Sequence, residues 1–310
     1  MRTALPLLII GMLAIVSCAS LEPSKDSQPP AYTSTSSNFR SFVNAEALAR
    51  YLRADSQAGP LVIAHRGSAT FAYPENALAT FRRALRYGPA LIKLDIQMAR
   101  DRTYVILRDE TLDRTTTGTG RVADQSLTDL RRLLLVDELG IITPFPIPTL
   151  DEVLAWSDGR TILMLDIKAD IPVAGVLEAI QRHDAAERVI VMTTSLPQAL
   201  DVYRSAPDLV IAVPAANREE LETVLASQLD TTRLIVLGGL AEVNPEVVEL
   251  AHTHRIRVVL GTVGLIDRRA LEGGVAVYQS LVDRGVDMFV TDNVKLASEA
   301  VAPYLPDSGR

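Results

Sequence analysis

Residues 91–107 read LIKLDIQMARDRTYVIL, and the spacing within this segment separates two possible arrangements of strands. It contains two strand-like apolar runs, 91–98 and 104–107, with only five residues between them. Because parallel strands need a crossover of about a dozen residues or more, the two runs are predicted to form an antiparallel hairpin with its turn at Asp101-Arg102. A turn centred there places position 108 across from position 95, so Arg108 is expected to pair with Asp95.

The rest of the chain alternates strand-like runs with helical patterns. Most runs are continuous stretches of Val, Ile and Leu, which is typical of parallel strands covered on both faces. Several helical patterns begin with capping signals, such as Ser126-x-x-Asp129 and Thr149-x-x-Glu152. The strand-like runs, nine in all, are 61–64, 91–98, 104–107, 161–167, 188–193, 209–213, 234–237, 256–260 and 287–290.

One of these runs is the return strand of the hairpin, which leaves eight parallel strands. The sequence therefore predicts an α/β fold, a (β/α)8 TIM barrel over residues 46–302, with a small hairpin insertion after the second strand. In such a barrel the functional site is expected at the carboxyl ends of the strands.

The composition excludes several other classes of protein. The chain has 310 residues, of which 48% are hydrophobic and 22% charged, and these values rule out collagen, a coiled coil and wholesale disorder. A net charge of −7 without a long basic run argues against nucleic acid as a partner. The single cysteine cannot form an internal disulfide, and the sequence has no Cys/His spacing of a zinc site.

The N-terminal residues are predicted to direct export. Arg2 is followed by an apolar run from 5 to 16 and then by Ser17-Cys18, which is the pattern of a bacterial lipoprotein signal peptide over residues 1–17. The alternative is an uncleaved signal with an incidental cysteine. Residues 18–45 are rich in Ser, Pro and Thr and are expected to be a disordered tether, and 303–310 a tail. A lipidated Cys18 would hold the protein on a membrane of the bacterial cell envelope.

Polar residues stand at the predicted carboxyl ends of the strands and in the loops that follow. Their order resembles that of the glycerophosphodiester phosphodiesterase family, from about residue 61 to 300. The segments that carry the resemblance are Ala64-His65-Arg66-Gly67, Tyr73-Pro74-Glu75-Asn76, Lys93-Leu94-Asp95, Arg108-Asp109, Leu112-Asp113-Arg114-Thr115-Thr116, Asp166-Ile167-Lys168 and Thr291-Asp292-Asn293.

The resemblance implies a TIM barrel that cleaves phosphodiesters such as glycerophosphocholine with two histidines and a divalent cation, often Ca²⁺ or Mg²⁺. His65 matches the first catalytic histidine, and Asp95 and Asp166 match metal ligands. The position of the second histidine is occupied by Arg108, which is expected to belong to the catalytic site and to stabilise negative charge on the phosphate. The residues expected to bind the substrate are Arg66, Glu75, Asn76, Lys93 and Lys168.

Two departures from the family pattern change the expected chemistry. Lys93 stands where the family has a glutamate ligand, and an ammonium repels a metal ion instead of binding it. We therefore expect the protein to have either no cofactor or a weakly held divalent cation at Asp95 and Asp166. Arg108 cannot replace a histidine as a general acid, because the pKa of an arginine side chain stays above about 12.

Three functions are compatible with these residues. The first is a phosphodiester hydrolase with an altered site, which acts on glycerophosphodiesters or related phospholipid head groups in lipid metabolism. The second is a barrel that has lost turnover and binds phosphorylated ligands, and the third is a scaffold of the cell envelope. The remaining histidines, His183, His252 and His254, are predicted to lie on helices or at helix ends, away from the site.

Overall fold

The structure is a computed structural model that describes residues 41–56 and 58–305. The predicted signal peptide, Cys18 and most of the predicted tether and tail lie outside the described residues. Within the described ranges, no helix is long and apolar enough to cross a membrane.

Eight strands form a closed parallel barrel, as the sequence predicts. Each is hydrogen-bonded to the next around the ring in the order β1-β11-β10-β9-β8-β7-β6-β2, and β1 pairs with β2 to close it. The strands in chain order are β1 (Leu61–His65), β2 (Ala90–Met98), β3 (Tyr104–Ile106), β4 (Leu134–Val136), β5 (Ile142–Pro146), β6 (Leu163–Ile167), β7 (Val189–Met192), β8 (Val210–Pro214), β9 (Leu234–Leu240), β10 (Arg257–Gly261) and β11 (Met288–Thr291).

Helices follow most barrel strands and bury one apolar face against them. The capping boxes at Ser126 and Thr149 are both formed, each with its acidic partner three residues later. The α-helices are α1 (Ala45–Tyr51), α2 (Leu78–Ala84), α3 (Leu127–Leu130), α4 (Leu150–Ser157), α5 (Val173–Arg182), α6 (Leu196–Ser205), α7 (Arg218–Leu225), α8 (Pro245–Thr253), α9 (Leu265–Gly273), α10 (Ala276–Asp283) and α11 (Val294–Val301). Short 3₁₀ turns lie at Val122–Asp124, Ala186–Arg188, Thr231–Arg233 and Ala302–Tyr304.

The N-terminal end of the barrel is closed by α1. Leu48 and Leu52 are fully buried and pack on side chains that fill the barrel interior, among them Ile63 and Met164. The buried guanidinium of Arg257, at the start of β10, donates to the Arg53 carbonyl oxygen at 3.1 Å and to the Gly59 carbonyl oxygen at 2.8 Å. Because this end is sealed, the barrel is accessible from its carboxyl end.

The predicted hairpin is present, but its register differs by one residue from the prediction. Ile96 faces Ile106, and the Leu107 N–H donates to the Asp95 carbonyl oxygen at 3.1 Å, so position 107 and not Arg108 lies across from position 95. The loop has three residues, and the last of them, Arg102, has a φ of +66°. A three-residue loop of this type shifts the centre of the turn, and no glycine marks it in the sequence.

A second hairpin, which the sequence analysis did not predict, covers one side of the barrel mouth. Strands β4 and β5 form it within the segment between β3 and α4. A separate cluster of buried apolar side chains, including Leu107, Leu112 and Leu135, supports this segment. The Ala72 N–H donates to Asp137 Oδ2 at 2.9 Å, so the hairpin is joined to the loop that follows β1.

Candidate active site

A fully buried carboxylate, Asp95, lies at the centre of the barrel mouth. Its Oδ1 is 3.0 Å from Lys93 Nζ and 3.2 Å from Lys168 Nζ, and its Oδ2 is 3.1 Å from Arg66 Nε. Burial alone raises the pKa of Asp95, but the positive charges of Lys93, Lys168 and Arg66 outweigh burial and hold this pKa well below its usual range. Asp95 is therefore ionised at any physiological pH.

Two lysine ammonium groups bridge two carboxylates on neighbouring strands. Asp95 on β2 lies directly beside Asp166 on β6, and Lys93 shares their face because side chains alternate along a strand. Lys93 Nζ and Lys168 Nζ each lie 2.7 Å from Asp166 Oδ2. The four side chains form a closed set of ion pairs in which each ammonium contacts both carboxylates.

Arg66 is held over this cluster by an unusual backbone conformation. Its φ is +50°, Asn76 has a φ of +59°, and the Asn76 N–H donates to the Arg66 carbonyl oxygen at 2.9 Å. Backbone strain of this kind concentrates at functional sites. Arg66 Nη1 donates to Glu75 Oε2 at 2.9 Å, whereas the buried Nε makes no directed hydrogen bond despite its short distance to Asp95. Asn76 Nδ2 donates to Asp95 Oδ2 at 3.3 Å.

A second arginine neutralises Glu75 from the outside of the pocket. Arg114 donates to both carboxylate oxygens of Glu75, at 3.0 and 2.8 Å, and to Asp109 Oδ2 at 2.6 Å. The hydrogen bond from Arg114 lowers the pKa of Asp109. Glu75 is thus paired with both Arg66 and Arg114. Its position is suited to orienting Arg66, and its negative charge does not suit direct contact with a phosphate.

His65 stands at the end of β1 with one ring nitrogen held by a carboxylate. Its Nδ1 lies 2.9 Å from Asp292 Oδ1, and its side chain is 14% exposed. A carboxylate beside Nδ1 selects the tautomer that carries the proton there, which leaves Nε2 free to accept a proton. The Asp292 N–H donates to Asp267 Oδ2 at 2.8 Å, and the Thr291 hydroxyl donates to Asp267 Oδ1 at 2.9 Å.

Asp292 and Asp267 were not among the predicted site residues. Asp267 is buried at the start of α9 and also accepts a hydrogen bond of 2.9 Å from Tyr278, whose hydroxyl stays protonated because burial raises the pKa of Tyr278. The signal for Asp292 was the Thr291-Asp292-Asn293 segment at the end of the last strand. Nothing in the spacing of the sequence points to Asp267.

The remaining predicted residues lie at the edge of the site or outside it. Arg108 Nε is 4.0 Å from Asp95 Oδ1, and its side chain is 44% exposed. His183 and His254 cap the carboxyl ends of α5 and α8, and His252 is in the last turn of α8. Their ring nitrogens contact Asp151, the Leu250 carbonyl oxygen and Asp287, respectively, so these histidines lie on helices or at helix ends, as predicted.

The residues at the mouth do not fit a divalent cation. Hard cations such as Ca²⁺ take six or more oxygen ligands at about 2.3–2.6 Å. Here the oxygens of Asp95 and Asp166 that face the pocket are each contacted by two ammonium groups. Across the described part of the chain, no group of three or more His, Cys, Asp or Glu side chains is arranged to hold a metal ion.

The fold and this arrangement define a (β/α)8 barrel with a cluster of paired lysine, arginine and aspartate side chains at its mouth. The sequence profile of the Glycerophosphoryl diester phosphodiesterase family matches residues 65–296. The chain belongs to this family, as its sequence motifs indicate.

Two named relatives are similar to part of this chain. It is 36% identical over 160 residues to a glycerophosphodiester phosphodiesterase of Caldanaerobacter subterraneus subsp. tengcongensis, a match that covers 49% of this chain and 65% of that protein. It is 42% identical over 164 residues to glycerophosphodiester phosphodiesterase 1 of Homo sapiens, with 51% and 46% covered. The matches therefore span between about half and two thirds of these relatives' lengths.

Solved structures share the fold over most of the described chain. A glycerophosphoryl diester phosphodiesterase from Parabacteroides distasonis superposes with a TM-score of 0.81 at 28% identity and covers 88% of this chain and 96% of its own. A phosphodiesterase of Oleispira antarctica in complex with the product sn-glycerol-3-phosphate superposes with a TM-score of 0.62 at 21% identity, with 78% and 97% covered. The second match shows the shared barrel alone.

Proposed function

We propose that this protein hydrolyses phosphodiesters of glycerol, either glycerophosphodiesters or related phospholipid head groups, with lysine and arginine side chains in place of a divalent cation. The observation that carries the proposal is the position of Lys93 Nζ, which lies 3.0 Å from Asp95 and 2.7 Å from Asp166. Membership of the family supports the reaction class, and the similarity to relatives named glycerophosphodiester phosphodiesterase supports glycerol phosphodiesters as the substrate class.

The charge of the pocket suits a phosphodiester. At the centre of the pocket four cations, Arg66, Lys93, Lys168 and Arg108, surround two carboxylates, Asp95 and Asp166, so the formal charge of this inner cluster is 4 − 2 = +2. The side chains around it, Glu75, Asp109, Asp292 and Arg114, add 1 − 3 = −2, so the positive charge is confined to the centre. A phosphodiester carries one negative charge and gains more on its equatorial oxygens as a nucleophile attacks. Positive groups already fixed in place stabilise that developing charge without rearrangement.

His65 is the proposed general base. With Nδ1–H donated to Asp292, Nε2 accepts a proton from the attacking water as its oxygen forms a bond to phosphorus. The phosphorus–oxygen bond to the leaving alcohol then breaks, and the alkoxide takes a proton from water or from Lys93. Arg108 cannot supply this proton, so protonation of the leaving group is expected to limit the rate.

A second candidate function is binding of phosphorylated ligands without turnover. The observation that favours it is Arg108 itself, a half-exposed cation at the position where the family has its second histidine. Such a site retains the groups that bind phosphate and lacks a second group for proton transfer. The two functions therefore share a pocket and differ in whether the bound diester is cleaved.

Turnover assays with and without chelator separate these functions. Purified protein is incubated with glycerophosphocholine, alone, with Ca²⁺ or Mg²⁺, and with EDTA, and release of choline is followed. We expect slow release that is indifferent to EDTA and absent from His65→Ala. Activity that EDTA abolishes would contradict the role given to Lys93. Binding of glycerophosphocholine without any release would favour the second function.

We further propose that the protein acts at the bacterial cell envelope, held there by lipid on Cys18. The support is the N-terminal sequence, in which the single cysteine follows an apolar run at the position of a lipoprotein cleavage site.

A further inference from the structure

Exposed apolar side chains are concentrated around the barrel mouth. Of nine large apolar side chains exposed in the described part of the chain, six lie at the carboxyl end of the barrel, with 43% to 77% of each exposed. We call these six the apolar rim. Soluble proteins usually expose such side chains singly, whereas a group beside a pocket marks an interaction surface. The apolar rim consists of Phe71, Leu139, Ile141, Ile142, Leu240 and Leu265.

The rim lies on both sides of the pocket. Phe71 follows β1, Leu240 ends β9, and Leu265 begins α9 directly after β10. Leu139, Ile141 and Ile142 are at the tip of the β4–β5 hairpin.

Hydrogen bonds hold the hairpin tip in place. Asp137 Oδ1 accepts from the Leu139 and Ile141 N–H groups at 3.0 and 2.9 Å, while its Oδ2 accepts from Ala72 beside Phe71. These hydrogen bonds fix the backbone of the hairpin tip, so the fold itself holds its apolar side chains in exposed positions.

We propose that the apolar rim docks on the surface of a zwitterionic phospholipid membrane and presents the pocket to lipid phosphodiesters. An apolar rim around a central cluster of lysine and arginine side chains complements a molecule with hydrocarbon chains at one end and a phosphodiester at the other. The choice of substrate rests on the proposed function, whereas docking itself does not. The rim would place the substrate in the class of membrane-borne phosphodiesters, beyond the soluble glycerophosphodiesters.

The charges near the rim favour a zwitterionic surface over an anionic one. Glu138 lies within the hairpin tip, and its pKa is raised by burial and by the negative charges of Asp292, Glu75 and Asp137. The whole chain also carries a net charge of −7, which repels anionic lipid at long range. Insertion of the rim therefore depends on apolar contact, which scales with buried apolar area.

Site-specific quenching tests this orientation. In the full chain with Cys18→Ser, a single cysteine is introduced by Leu139→Cys or by Leu271→Cys and labelled with an environment-sensitive dye. Leu271 is a matched control, because it is 74% exposed on α9, compared with 71% for Leu139. Vesicles of phosphatidylcholine with brominated acyl chains should quench the label at 139 and leave the label at 271 unchanged. Both variants share one N-terminal segment, so the difference reports which face meets lipid.

Equal quenching at the two positions, or quenching at neither, would overturn the proposal. A change at position 139 without vesicles that depends on protein concentration would show that a second copy covers the rim, and would overturn it too. As a second measurement, Leu139→Gln with Ile142→Gln should lower sedimentation with vesicles about threefold or more, whereas Leu271→Gln should not. Quenching and sedimentation measure binding to vesicles and do not require hydrolysis. A protein without hydrolytic activity would therefore contradict the proposed function, while these two measurements would still decide whether the rim docks.

Discussion

Lys93 supplies a positive charge at the barrel mouth from a side chain of the protein and not from a bound metal ion. Its ammonium lies between Asp95 and Asp166, where it neutralises two carboxylates that would otherwise repel each other. A buried charge is stabilised only while its partners remain, and removal of one partner leaves the others uncompensated. Lys93 is therefore expected to contribute to folding as well as to the reaction.

Replacement of Lys93 by a neutral side chain of similar length should destabilise the protein. Lys93→Met leaves Lys168 as the remaining ammonium between the two carboxylates, and we expect the free energy of unfolding to fall by about 3 kcal/mol. Urea denaturation at pH 7 measures this change. The control is Lys295→Met on the exposed face of α11, which should stay within about 0.5 kcal/mol of wild type. Equal stability of the two variants would show that the ion pairs at the mouth contribute little.

Restoring the family pattern should create a metal-dependent enzyme. Lys93→Glu removes the ammonium and adds a third carboxylate near Asp95 and Asp166, and Arg108→His adds a group that can donate a proton. We expect the double variant to turn over glycerophosphocholine about a hundredfold faster than wild type, and only with Ca²⁺ or Mg²⁺. Calorimetry should show Ca²⁺ binding by the double variant and by Lys93→Glu, but not by Arg108→His. A double variant that stays inactive while wild type binds the diester would favour the binding function.

Asp292 is expected to act through His65 as a positioning residue. Asp292→Asn keeps the side-chain shape but no longer selects the tautomer with the proton on Nδ1. Turnover should fall by about 10²-fold or more with little change in KM, because Asp292 is not one of the groups proposed to bind phosphate. Steady-state kinetics on glycerophosphocholine test this, with the exposed Asp201→Asn on α6 as the control. A change confined to KM would place Asp292 in substrate binding instead.

At the scale of elements, the sequence predicts the barrel because crossover lengths separate parallel from antiparallel neighbours. The sequence does not reveal β4 and β5, since three-residue and proline-containing strands give no periodic signal. The predicted register of the first hairpin is wrong by one residue, because Arg102 adopts a left-handed conformation and no glycine in the sequence marks it. Alternation along β2 correctly brought Lys93 and Asp95 together, whereas the His65–Asp292 contact spans 227 positions and follows only from closure of the barrel.

The contact between α8 and the start of β11 should make stability depend on pH. The hydrogen bond with Asp287 raises the pKa of His252, so its stabilising contribution is complete below the unfolded-state pKa near 6.5. That contribution is lost as pH rises through the higher pKa of the folded state. Wild type should thus lose stability relative to His252→Gln between about pH 6 and 8, by less than about 1 kcal/mol because His252 is partly exposed. Urea denaturation of both proteins at several pH values measures this difference in the free energy of unfolding. A difference that stays constant between about pH 6 and 8 would contradict the prediction.

At the scale of the whole molecule, the two ends of the barrel have different tasks. The end closed by α1 and Arg257 is sealed by buried apolar side chains and hydrogen bonds. The opposite end carries the cation cluster, His65 and the apolar rim. The chain enters the barrel at the sealed end, because α1 is the first described helix. The first described helix and the proposed catalytic residues therefore lie at opposite ends of one barrel.

Lipidation at Cys18 is tested by metabolic labelling. A labelled fatty acid should enter the wild-type protein expressed in bacteria and should be absent from Cys18→Ser, because Cys18 is the only cysteine in the chain. The wild type should also partition into the detergent phase after extraction. Equal labelling of both proteins would contradict the proposed anchor at Cys18.

Lysine is a rare residue in this chain, yet two lysines lie at the barrel mouth. The chain contains 27 arginines and only four lysines, and two of those four are Lys93 and Lys168. The compact ammonium of Lys93 contacts both carboxylates through a single nitrogen, whereas a guanidinium presents several nitrogens in a planar fork. Lysine side chains are scarce elsewhere in the barrel. Lys295 is the third lysine among the residues that the structure describes. Reagents selective for amines therefore have few competing targets outside this pocket, a chemical handle that a metal centre would not provide.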